Sequence, residues 1–346
     1  MSPPVPTLAD VGRAAGVSAM TVSLVMRNSP RISRATQTRV RKAARQLGYR
    51  PDPHLSALVA RRDNTHPHHV VANLAVLIDD RWDDFSHTSW IKTVLDGMRT
   101  ACARLGYSLD VFNIQRDLLS SKNPDRILQG RGIRAITILS LVEQDLILPL
   151  QWSHYAVISI GSYTPFRIQW HRVGGDAFAA ANLVGEKLAA LGYRRLGLAN
   201  RFDNEERMRF EWLGGLTKEH FSPKPRWEVV PPYLPEGSTE TGILKWIEKY
   251  KPECVVSNYW RVYLWLKEAG YRVPQDIGFV CLSNESAENV NISGISKHLD
   301  IAGEAAVEQL HSMLLRGETG EPKIPREILI HPHWVQGKTV RRIKRT

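Results

Sequence analysis

TLADVGRAAGVSAMTVSLVMRN at residues 7–28 is the stretch that decides how the N-terminal part of this chain folds. Apolar residues recur there and just after it at helical spacing, in three short segments. Thr7, Ser18 and Ser33 each stand where an N-cap is expected in front of one of these segments. Gly16 ends the first segment, and only a short turn separates it from the second. Three short helices with this glycine-containing turn predict a helix-turn-helix unit.

The positive charge of the chain is concentrated in the same region. The whole chain of 346 residues has a formal net charge of +11. Residues 1–62 hold eleven Lys or Arg and only Asp10 and Asp52 as acids, which gives a net charge of +9. Charge packed in this way is typical of a module that binds a polyanion. A solvated basic surface without a partner is the alternative.

From residue 70 onward, short β-rich runs alternate with helical segments. The predicted strands are 70–78, 108–113, 133–139, 155–160, 195–200, 253–257 and 277–282. The main predicted helices are 87–105, 176–191 and 299–315. Alternation of this kind produces parallel sheets that are covered by helices on both faces. The number of strands predicts two such sheets rather than one.

The basic N-terminal helix-turn-helix unit, called the head from here on, closely resembles the DNA-binding domain of the lactose/galactose repressor family of bacterial transcription regulators. The stretch quoted above and RISRATQTRVRKAARQLGYRPD at residues 31–52 fill nearly every fixed position of that family's pattern. V-x-x-D at Val173–Asp176 and V-P-x-D-I at Val273–Ile277 extend the resemblance over almost the whole chain. The resemblance implies an all-α helix-turn-helix head and an α/β periplasmic-binding-protein-like effector domain of two doubly wound parallel-sheet subdomains.

The resemblance also implies the domain boundaries. We expect the helix-turn-helix head at residues 1–50, a hinge helix and linker at 51–69, and an effector-binding and dimerisation domain at 70–346. One subdomain then comprises roughly residues 70–171 with 298–322, and the other roughly 172–297 with 323–335.

In this family the second helix of the head enters the major groove, with its first residues toward the base edges. Here these are Ala19 and Met20, whose apolar side chains can contact a thymine methyl but cannot make a bidentate hydrogen bond. Leu24 stands where the family usually has a polar base-reading residue, and Arg27 replaces its usual asparagine, so direct readout should be weaker or different. The residues expected to contact DNA are Thr7, Leu8, Ser18, Ala19, Met20, Thr21, Ser23, Leu24, Arg27, Asn28, Ser33, Thr36, Leu55, Ala57 and Leu58.

The hinge segment contributes the last three of these residues. By position, Leu58 matches the leucine that the family's hinge helix wedges into the minor groove, with Leu55 and Ala57 beside it. Such a wedge unstacks a flexible base step and bends the duplex. A helix this short is marginal in water, so we expect it to form only when paired and on DNA. The alternative is that Leu55 and Leu58 begin the core of the next domain.

Ligands of two-subdomain α/β proteins lie beyond the carboxyl ends of the strands. In the second subdomain this rule points to Asn258, Trp260, Ser283 and Asn284. The resemblance adds Arg209, in the place of an R-x-x-G-[FWY] arginine, and Asn258 also matches a family asparagine. Ser283 and Asn284 stand where the family has an Asp that binds the sugar, so the usual set of hexose-binding residues is incomplete. The residues expected to bind the effector are Trp82, Phe85, Ser140, Ser162, Arg209, Asn258, Trp260, Ser283 and Asn284. Asp176 is expected to cap its helix rather than bind ligand.

The sequence also argues against several other classes of protein. Cys102, Cys254 and Cys281 lie far apart, which argues against a disulfide framework. A signal peptide and a membrane-length apolar run are both missing, so a cytoplasmic protein without a membrane partner is expected. The histidines of HPHH at 66–69 and HPHW at 331–334 lack metal-ligand spacing, and no P-loop, G-x-S-x-G or strand-following GxGxxG is found. We therefore expect no enzyme, no metal and no cofactor.

The sequence thus predicts a sequence-specific transcription regulator, and a repressor in particular. It is expected to bind a pseudo-palindromic operator in double-stranded DNA as a homodimer, with an operator affinity that a small effector such as a sugar changes. Two alternatives stay open, a sequence-independent architectural DNA-binding protein and a solute-binding protein without a DNA function.

Overall fold

A computed structural model of the protein describes residues 6–26, 32–47, 49, 73–79, 85–139, 148–161, 168–236, 240–284 and 291–344. Among these, no single helix is both long and apolar enough to cross a membrane.

The head consists of three helices, α1 (Leu8–Ala15), α2 (Ala19–Met26) and α3 (Arg34–Gln46). Thr7 and Asp10 form a reciprocal capping box at the start of α1, because each side chain accepts the backbone N–H of the other residue. Gly16, with φ of 63°, ends α1 in the left-handed conformation that glycine adopts without strain. The axes of α1 and α2 bend by 101° across the turn, as helix-turn-helix units do. The predicted helix-turn-helix head is confirmed.

The core of the head is small. It is formed by the buried residues Val11, Ala15, Val22, Val25, Val40, Ala43 and Ala44. Each helix contributes at least two of them, so the head depends on all three helices packing together.

The rest of the described chain contains two six-stranded sheets. The first sheet contains β1 (Asn73–Ile78), β2 (Ser108–Asn113), β3 (Ile133–Leu139), β4 (Ala156–Ile160), β5 (His171–Gly175) and β11 (Glu327–Ile330), in the order β11-β5-β4-β3-β1-β2. The second contains β6 (Arg195–Leu198), β7 (Glu228–Val229), β8 (Cys254–Ser257), β9 (Gly278–Cys281), β10 (Gly294–Ser296) and β12 (His333–Val335), in the order β12-β10-β9-β8-β6-β7. The strands pair in parallel, apart from the antiparallel pair of β10 with β12.

Helices cover both faces of each sheet. They are α4 (Phe85–Leu105), α5 (Pro124–Gly130), α6 (Ala177–Ala190), α7 (Phe202–Arg207), α8 (Glu211–Thr217), α9 (Glu240–Tyr250), α10 (Arg261–Glu268) and α11 (Leu299–Arg316). A π-helix at Ile114–Leu119 and short 3-10 turns at Trp152–His154 and Lys218–Phe221 complete the elements. Helices α4 and α11 enclose one core on the first sheet, and α6 and α8 enclose one on the second. Further cores fill the opposite faces, so the predicted doubly wound architecture is confirmed.

The predicted division into subdomains is wrong at two strands. Strand β5 lies almost wholly in the segment assigned to the second subdomain, yet it pairs with β4 of the first sheet. Strand β11 was also assigned to the second subdomain, but it pairs in parallel with β5, with Glu327 opposite Arg172. The chain therefore crosses between the sheets after β5, after β10, and between β11 and β12. Short strands carry no sequence signal for which sheet edge they will join, because strand pairing depends on contacts distant in the chain.

Candidate functional site

Polar side chains meet at the carboxyl ends of three neighbouring strands in the second sheet. Strands β9, β8 and β6 are adjacent and parallel, so the residues that follow them lie at one edge. Asn200 follows β6 closely, Asn258 follows β8, and Ser283 and Asn284 follow β9. Asn258, Ser283 and Asn284 therefore lie at a common edge of the sheet, as predicted for residues that follow parallel strands.

Asn200 connects two of these strand ends. Its side chain is 3% exposed, and its Oδ1 accepts the backbone N–H of Asn258 at 2.8 Å. The hydroxyl of Ser257 lies 3.5 Å from the same oxygen, and the Asn200 Nδ2 donates to Glu205. Asn200 was not among the predicted site residues, although it is the last residue of the predicted strand 195–200 and could have been found from that position.

Glu205 is a fully buried acid beneath this edge. Its Oε1 accepts from Asn200 Nδ2, and its Oε2 accepts the backbone N–H of Leu213 in the first turn of α8 at 3.3 Å. Burial raises the pKa of the Glu205 carboxyl, and the two hydrogen bonds offset only part of this effect. Through this one side chain, α7 is tied to the start of α8 and to the end of β6.

The raised pKa makes Glu205 a source of pH-dependent stability. The folded protein binds its proton more tightly than the unfolded chain, so this stabilisation is full below the ordinary pKa of about 4.3 and is lost as pH rises through the folded pKa. We expect Glu205→Gln to be most destabilising near pH 4 and relatively less so at pH 7, when thermal unfolding is compared with the parent protein. Glu206→Gln, on the exposed face of the same helix, is the control and should show no such trend. A pH-independent difference for Glu205→Gln would contradict this expectation.

Three predicted effector residues carry buried polar atoms that lack a hydrogen-bond partner within the described part of the chain. They are the Asn258 Oδ1, the Trp260 Nε1 and the Asn284 Oδ1. Buried polar groups are normally paired, and an orphaned one costs about 1–3 kcal/mol. A ligand with hydroxyl or amino groups could donate to the two amide oxygens and accept from the indole N–H. Asn284 is held by its Nδ2, which donates to the Ile292 carbonyl at 3.1 Å.

Arg209 lies in a strained segment between α7 and α8. Arg209 and Phe210 have φ of 51° and 57°, the left-handed region that residues other than glycine rarely adopt. The Arg209 side chain is exposed, whereas the Arg207 side chain is only 9% exposed and its pKa is lowered by burial. Sequence reasoning did not single out Arg207, because a motif match does not show which of two arginines is buried.

The structure does not describe the side chains of four other predicted effector residues. Trp82, Ser140 and Ser162 lie outside the described residues, and Phe85 begins α4 without a described side chain. On the first sheet, Asp79 follows β1 and is 1% exposed. Asp176 accepts the Ala179 N–H at 2.8 Å as the N-cap of α6, which confirms its predicted capping role.

The crossovers between the sheets lie side by side. The backbone N–H of Asp176, in the first crossover, donates to the Ile330 carbonyl at the third, at 3.1 Å. The ring of His298, in the second crossover, lies 6.0 Å from the ring of His333, just after the third. Adjacent short connections of this kind allow two subdomains to rotate about a common hinge. In the described residues, no group of three or more His, Cys, Asp or Glu is placed to hold a metal ion.

In the head, the start of α2 is exposed. Ser18, Ala19 and Met20 are exposed, and Thr21, Ser23 and Leu24 are half-buried. The Thr21 backbone N–H donates to the Ser18 Oγ at 3.1 Å, and the Thr36 N–H donates to the Ser33 Oγ at 3.4 Å, so both serines cap helices as predicted. Leu8 begins α1 beside the capping residue Thr7. The predicted DNA-contacting residues Arg27, Asn28, Leu55, Ala57 and Leu58 lie outside the described residues.

Helix α3 provides the positive surface of the head. Arg34, Arg39, Arg41, Lys42 and Arg45 are all exposed on it, and its sequence contains no acid. The N-terminus of α3 is capped by Ser33 and belongs to the same helix as these cations. It can therefore offer backbone N–H groups to phosphates together with the positive side chains.

Comparison with known proteins agrees with this arrangement. Residues 7–52 match the family model described as bacterial regulatory proteins, lacI family, and residues 186–340 match the periplasmic binding protein-like domain. The chain is 23% identical over 348 residues to the HTH-type transcriptional repressor PurR of Mannheimia succiniciproducens, covering 97% of this chain and 99% of that protein. It is 26% identical over 144 residues to the regulator MalR of Streptococcus pneumoniae, 42% of each chain.

Solved structures share the fold over nearly the whole length. A complex of the transcriptional regulator CelR with cellobiose superposes with a TM-score of 0.61 at 18% identity, covering 96% of this chain and 99% of that one. A lac repressor dimer bound to operator and the anti-inducer ONPF superposes with a TM-score of 0.53 at 18% identity, covering 98% and 100%. Residues 7–52 thus carry the DNA-binding domain of the lacI family of bacterial regulatory proteins, and residues 186–340 carry a periplasmic binding protein-like domain.

Proposed function

We propose that this protein is a cytoplasmic transcription repressor that binds a pseudo-palindromic operator as a homodimer and responds to a small ligand between its two subdomains. The observation that carries the proposal is the pairing of a capped helix-turn-helix head with a separate two-sheet domain that has orphaned polar atoms at its strand ends. A regulator needs both parts, whereas an enzyme would not need the head.

Duplex DNA is the partner that fits the head. The five exposed cations of α3 match the phosphate backbone, which supplies much of the affinity of such proteins. A symmetric dimer presents two heads related by a two-fold axis, so it reads two half-sites in inverted orientation. The lac repressor structure similar to this chain is a dimer on its operator.

A small polar metabolite is the ligand that fits the second sheet. The orphaned Asn258 and Asn284 oxygens and the Trp260 N–H suit a molecule with several hydroxyl or amino groups, such as a sugar. CelR, which is similar in fold, binds cellobiose in its solved complex. Ligand binding at this edge would rotate the subdomains about the three crossovers and so change the operator affinity, with a coupling of typically ~1–3 kcal/mol.

Selection from a library of random duplexes with the full-length protein tests the DNA function. We expect an inverted-repeat consensus that is bound at least about 10³-fold more tightly than random DNA, with an affinity that falls steeply as salt rises. An equal affinity for all duplexes would identify an architectural DNA binder. No DNA binding at low salt would overturn the proposal.

The effector site is tested with a panel of sugars, sugar acids and nucleobases. A bound compound at 100 times its Kd adds ~2.7 kcal/mol to stability and raises the unfolding temperature. We expect Arg209→Ala and Asn258→Ala to lose this shift and to keep operator binding, because both residues lie outside the head. Arg134→Ala, an exposed change near the start of β3, is the control. An undiminished shift in Asn258→Ala would remove that residue from the site.

A further inference from the structure

Positive charge is concentrated in two separate segments of this sequence. Residues 1–62 carry a net charge of +9, and residues 338–345 contain five Lys or Arg and no acid. Residues 63–337 between them hold 30 Lys or Arg and 33 Asp or Glu, a net charge of −3. A cluster of cations on an otherwise slightly acidic domain is typical of a surface that binds a polyanion. Neither the head nor the effector site accounts for this second cluster.

The segment 337–344, called the strap from here on, is fixed to the second sheet. The Phe279 N–H in β9 donates to the Thr339 carbonyl at 2.9 Å, and the Thr339 hydroxyl donates to the Phe279 carbonyl at 2.7 Å. Further along, the Ile343 N–H donates to the Leu191 carbonyl at 2.8 Å. The backbone of the strap is therefore held at two points, so its cations occupy a defined place on the surface.

The cations of the strap are exposed. Arg341, Arg342 and Lys344 all lie at the surface. The Arg341 side chain donates to the carbonyls of Pro274 and Gln275, each at 3.2 Å, and these neutral acceptors leave its charge uncompensated. Within the described residues, Arg342 and Lys344 form no ion pair. The strap therefore presents three cations to solvent.

The acid Asp276 lies beside the strap. It forms an ion pair with Arg272, at 2.7 Å between the Arg272 Nη2 and the Asp276 Oδ1. Hydrogen bonds from Arg272 lower the pKa of the Asp276 carboxyl to about 2, and the charge of Arg341 makes a smaller contribution. Because Arg272 already compensates this carboxylate, the surface around the strap stays positive.

The strap lies at the end of the two-sheet domain that is remote from the effector site. The three crossovers leave the carboxyl ends of β5, β10 and β11, so the carboxyl edges of the two sheets face each other. The strap contacts Leu191 and Pro274, which precede β6 and β9, and so lies at the opposite edge of the second sheet. Strand β1, which follows the head in the chain, begins at the outer edge of the first sheet. A partner on the strap is therefore separate from the effector site and from the place where the chain enters this domain.

The surface of the strap suits phosphates better than another protein. Interfaces between proteins have an apolar centre. In the strap, Val340 is 6% exposed and Ile343 is half-buried, and both pack on the core that α6 encloses. The apolar side chains are thus used internally, and cations are left outside. A set of exposed cations without apolar neighbours binds the DNA backbone regardless of base sequence.

We propose that the strap binds the phosphate backbone of a second DNA segment through Arg341, Arg342 and Lys344. This inference rests on the proposed function, in which the heads occupy the operator. A homodimer carries two straps, and attachment to the operator raises the local concentration of neighbouring DNA around them. The bound protein thereby bridges its operator to another stretch of duplex.

The test uses beads that carry the operator selected from a random library. The full-length protein is captured on them, so that the operator occupies the heads, and a labelled duplex of unrelated sequence is added. We expect this duplex to be retained at about 50 mM salt and its affinity to fall about 40-fold at about 200 mM, as three phosphate contacts require. Arg342→Gln combined with Lys344→Gln should lower its affinity at least ~10-fold at the lower salt concentration and leave operator affinity unchanged.

Lys122→Gln combined with Lys323→Gln is the matched control, because it removes the same charge at two exposed positions outside the strap. It should retain the labelled duplex as the parent protein does. Equal retention by the parent protein and the strap variant overturns the proposal. If the strap variant instead loses self-association in sedimentation and still retains the labelled duplex, the strap binds a second copy of the chain and the proposal is wrong.

Beads that carry a random duplex separate this inference from the function beneath it. A protein that selects no operator loses the repressor function, while retention of the labelled duplex on random beads that depends on Arg342 and Lys344 still supports the strap. A protein that is captured on its operator and holds no second duplex keeps its function and refutes the strap alone.

Discussion

Val22→Asp is expected to abolish operator binding while the two-sheet domain stays folded. Val22 has 0% exposure in the small core of the head. An unpaired carboxylate there costs several kcal/mol, and a core of this size rarely supplies more than ~3–5 kcal/mol of net stability. The head should therefore unfold, and operator affinity should fall by at least ~10³-fold, the usual ratio of specific to non-specific binding.

Fluorescence anisotropy with the selected duplex measures this loss, and thermal unfolding shows whether the main transition is unchanged. Leu47→Asp is the matched control, because it adds the same charge at an exposed position of the same head. It should weaken binding only modestly, through the added negative charge. Operator binding retained by Val22→Asp would mean that the head is not the DNA-binding unit.

Most of the strands that were predicted from the sequence are buried on both faces. In β1, residues 74–77 are LAVL and all have 0% exposure, and such continuous apolar runs are typical of parallel strands under helices. Strand β3 was predicted with its observed bounds for the same reason. The half-buried edge strand β2 was also predicted with its observed bounds. The helices of the head could be predicted equally well, because their capping residues and apolar spacing are local signals.

Strand β5 shows why other elements escaped prediction. Its sequence HRVGG contains Arg172, which is 2% exposed and donates to the Gly161 carbonyl at 2.8 Å and to Glu327 at 3.1 Å. Gly174 makes room for that guanidinium, because a Cβ there would lie 2.2 Å from the Arg172 Nη1. The partners come from distant parts of the chain, so no local pattern marks this segment as a buried strand.

In the candidate site, too, some residues could be predicted from the sequence and their contacts could not. Asn258, Ser283 and Asn284 were predicted because topology alone puts residues after parallel strands at one edge. The hydrogen bonds of Asn200 with Glu205 and Asn258 could not be predicted, since they depend on how α7 folds back over that edge. The left-handed conformation of Arg209 and Phe210 could not be predicted either, because motif matching does not detect backbone conformation.

Gly303→Val is expected to cause a large loss of stability in the two-sheet domain. Helices α4 and α11 pack closely where Gly303 faces the backbone of α4, and a Cβ there would lie 2.2 Å from the Val94 carbonyl oxygen and 3.0 Å from the Met98 nitrogen. Backbone atoms cannot rotate away, so the helices must separate and open the core between them. Overpacking of this kind costs ~1–3 kcal/mol and sometimes more, and we expect a value at the upper end because backbone is displaced.

Thermal unfolding should therefore show a midpoint about 5–10 °C lower, at ~2–4 °C per kcal/mol for a domain of this size. Gly130→Val is the matched control, because nothing lies within 4 Å of a Cβ at that helical glycine. An unchanged midpoint for Gly303→Val would show that α4 and α11 are not in close contact in solution. Because α11 begins directly after the second crossover, a folded Gly303→Val protein with α11 displaced should also respond differently to ligand, although no residue of the strand-end site has changed.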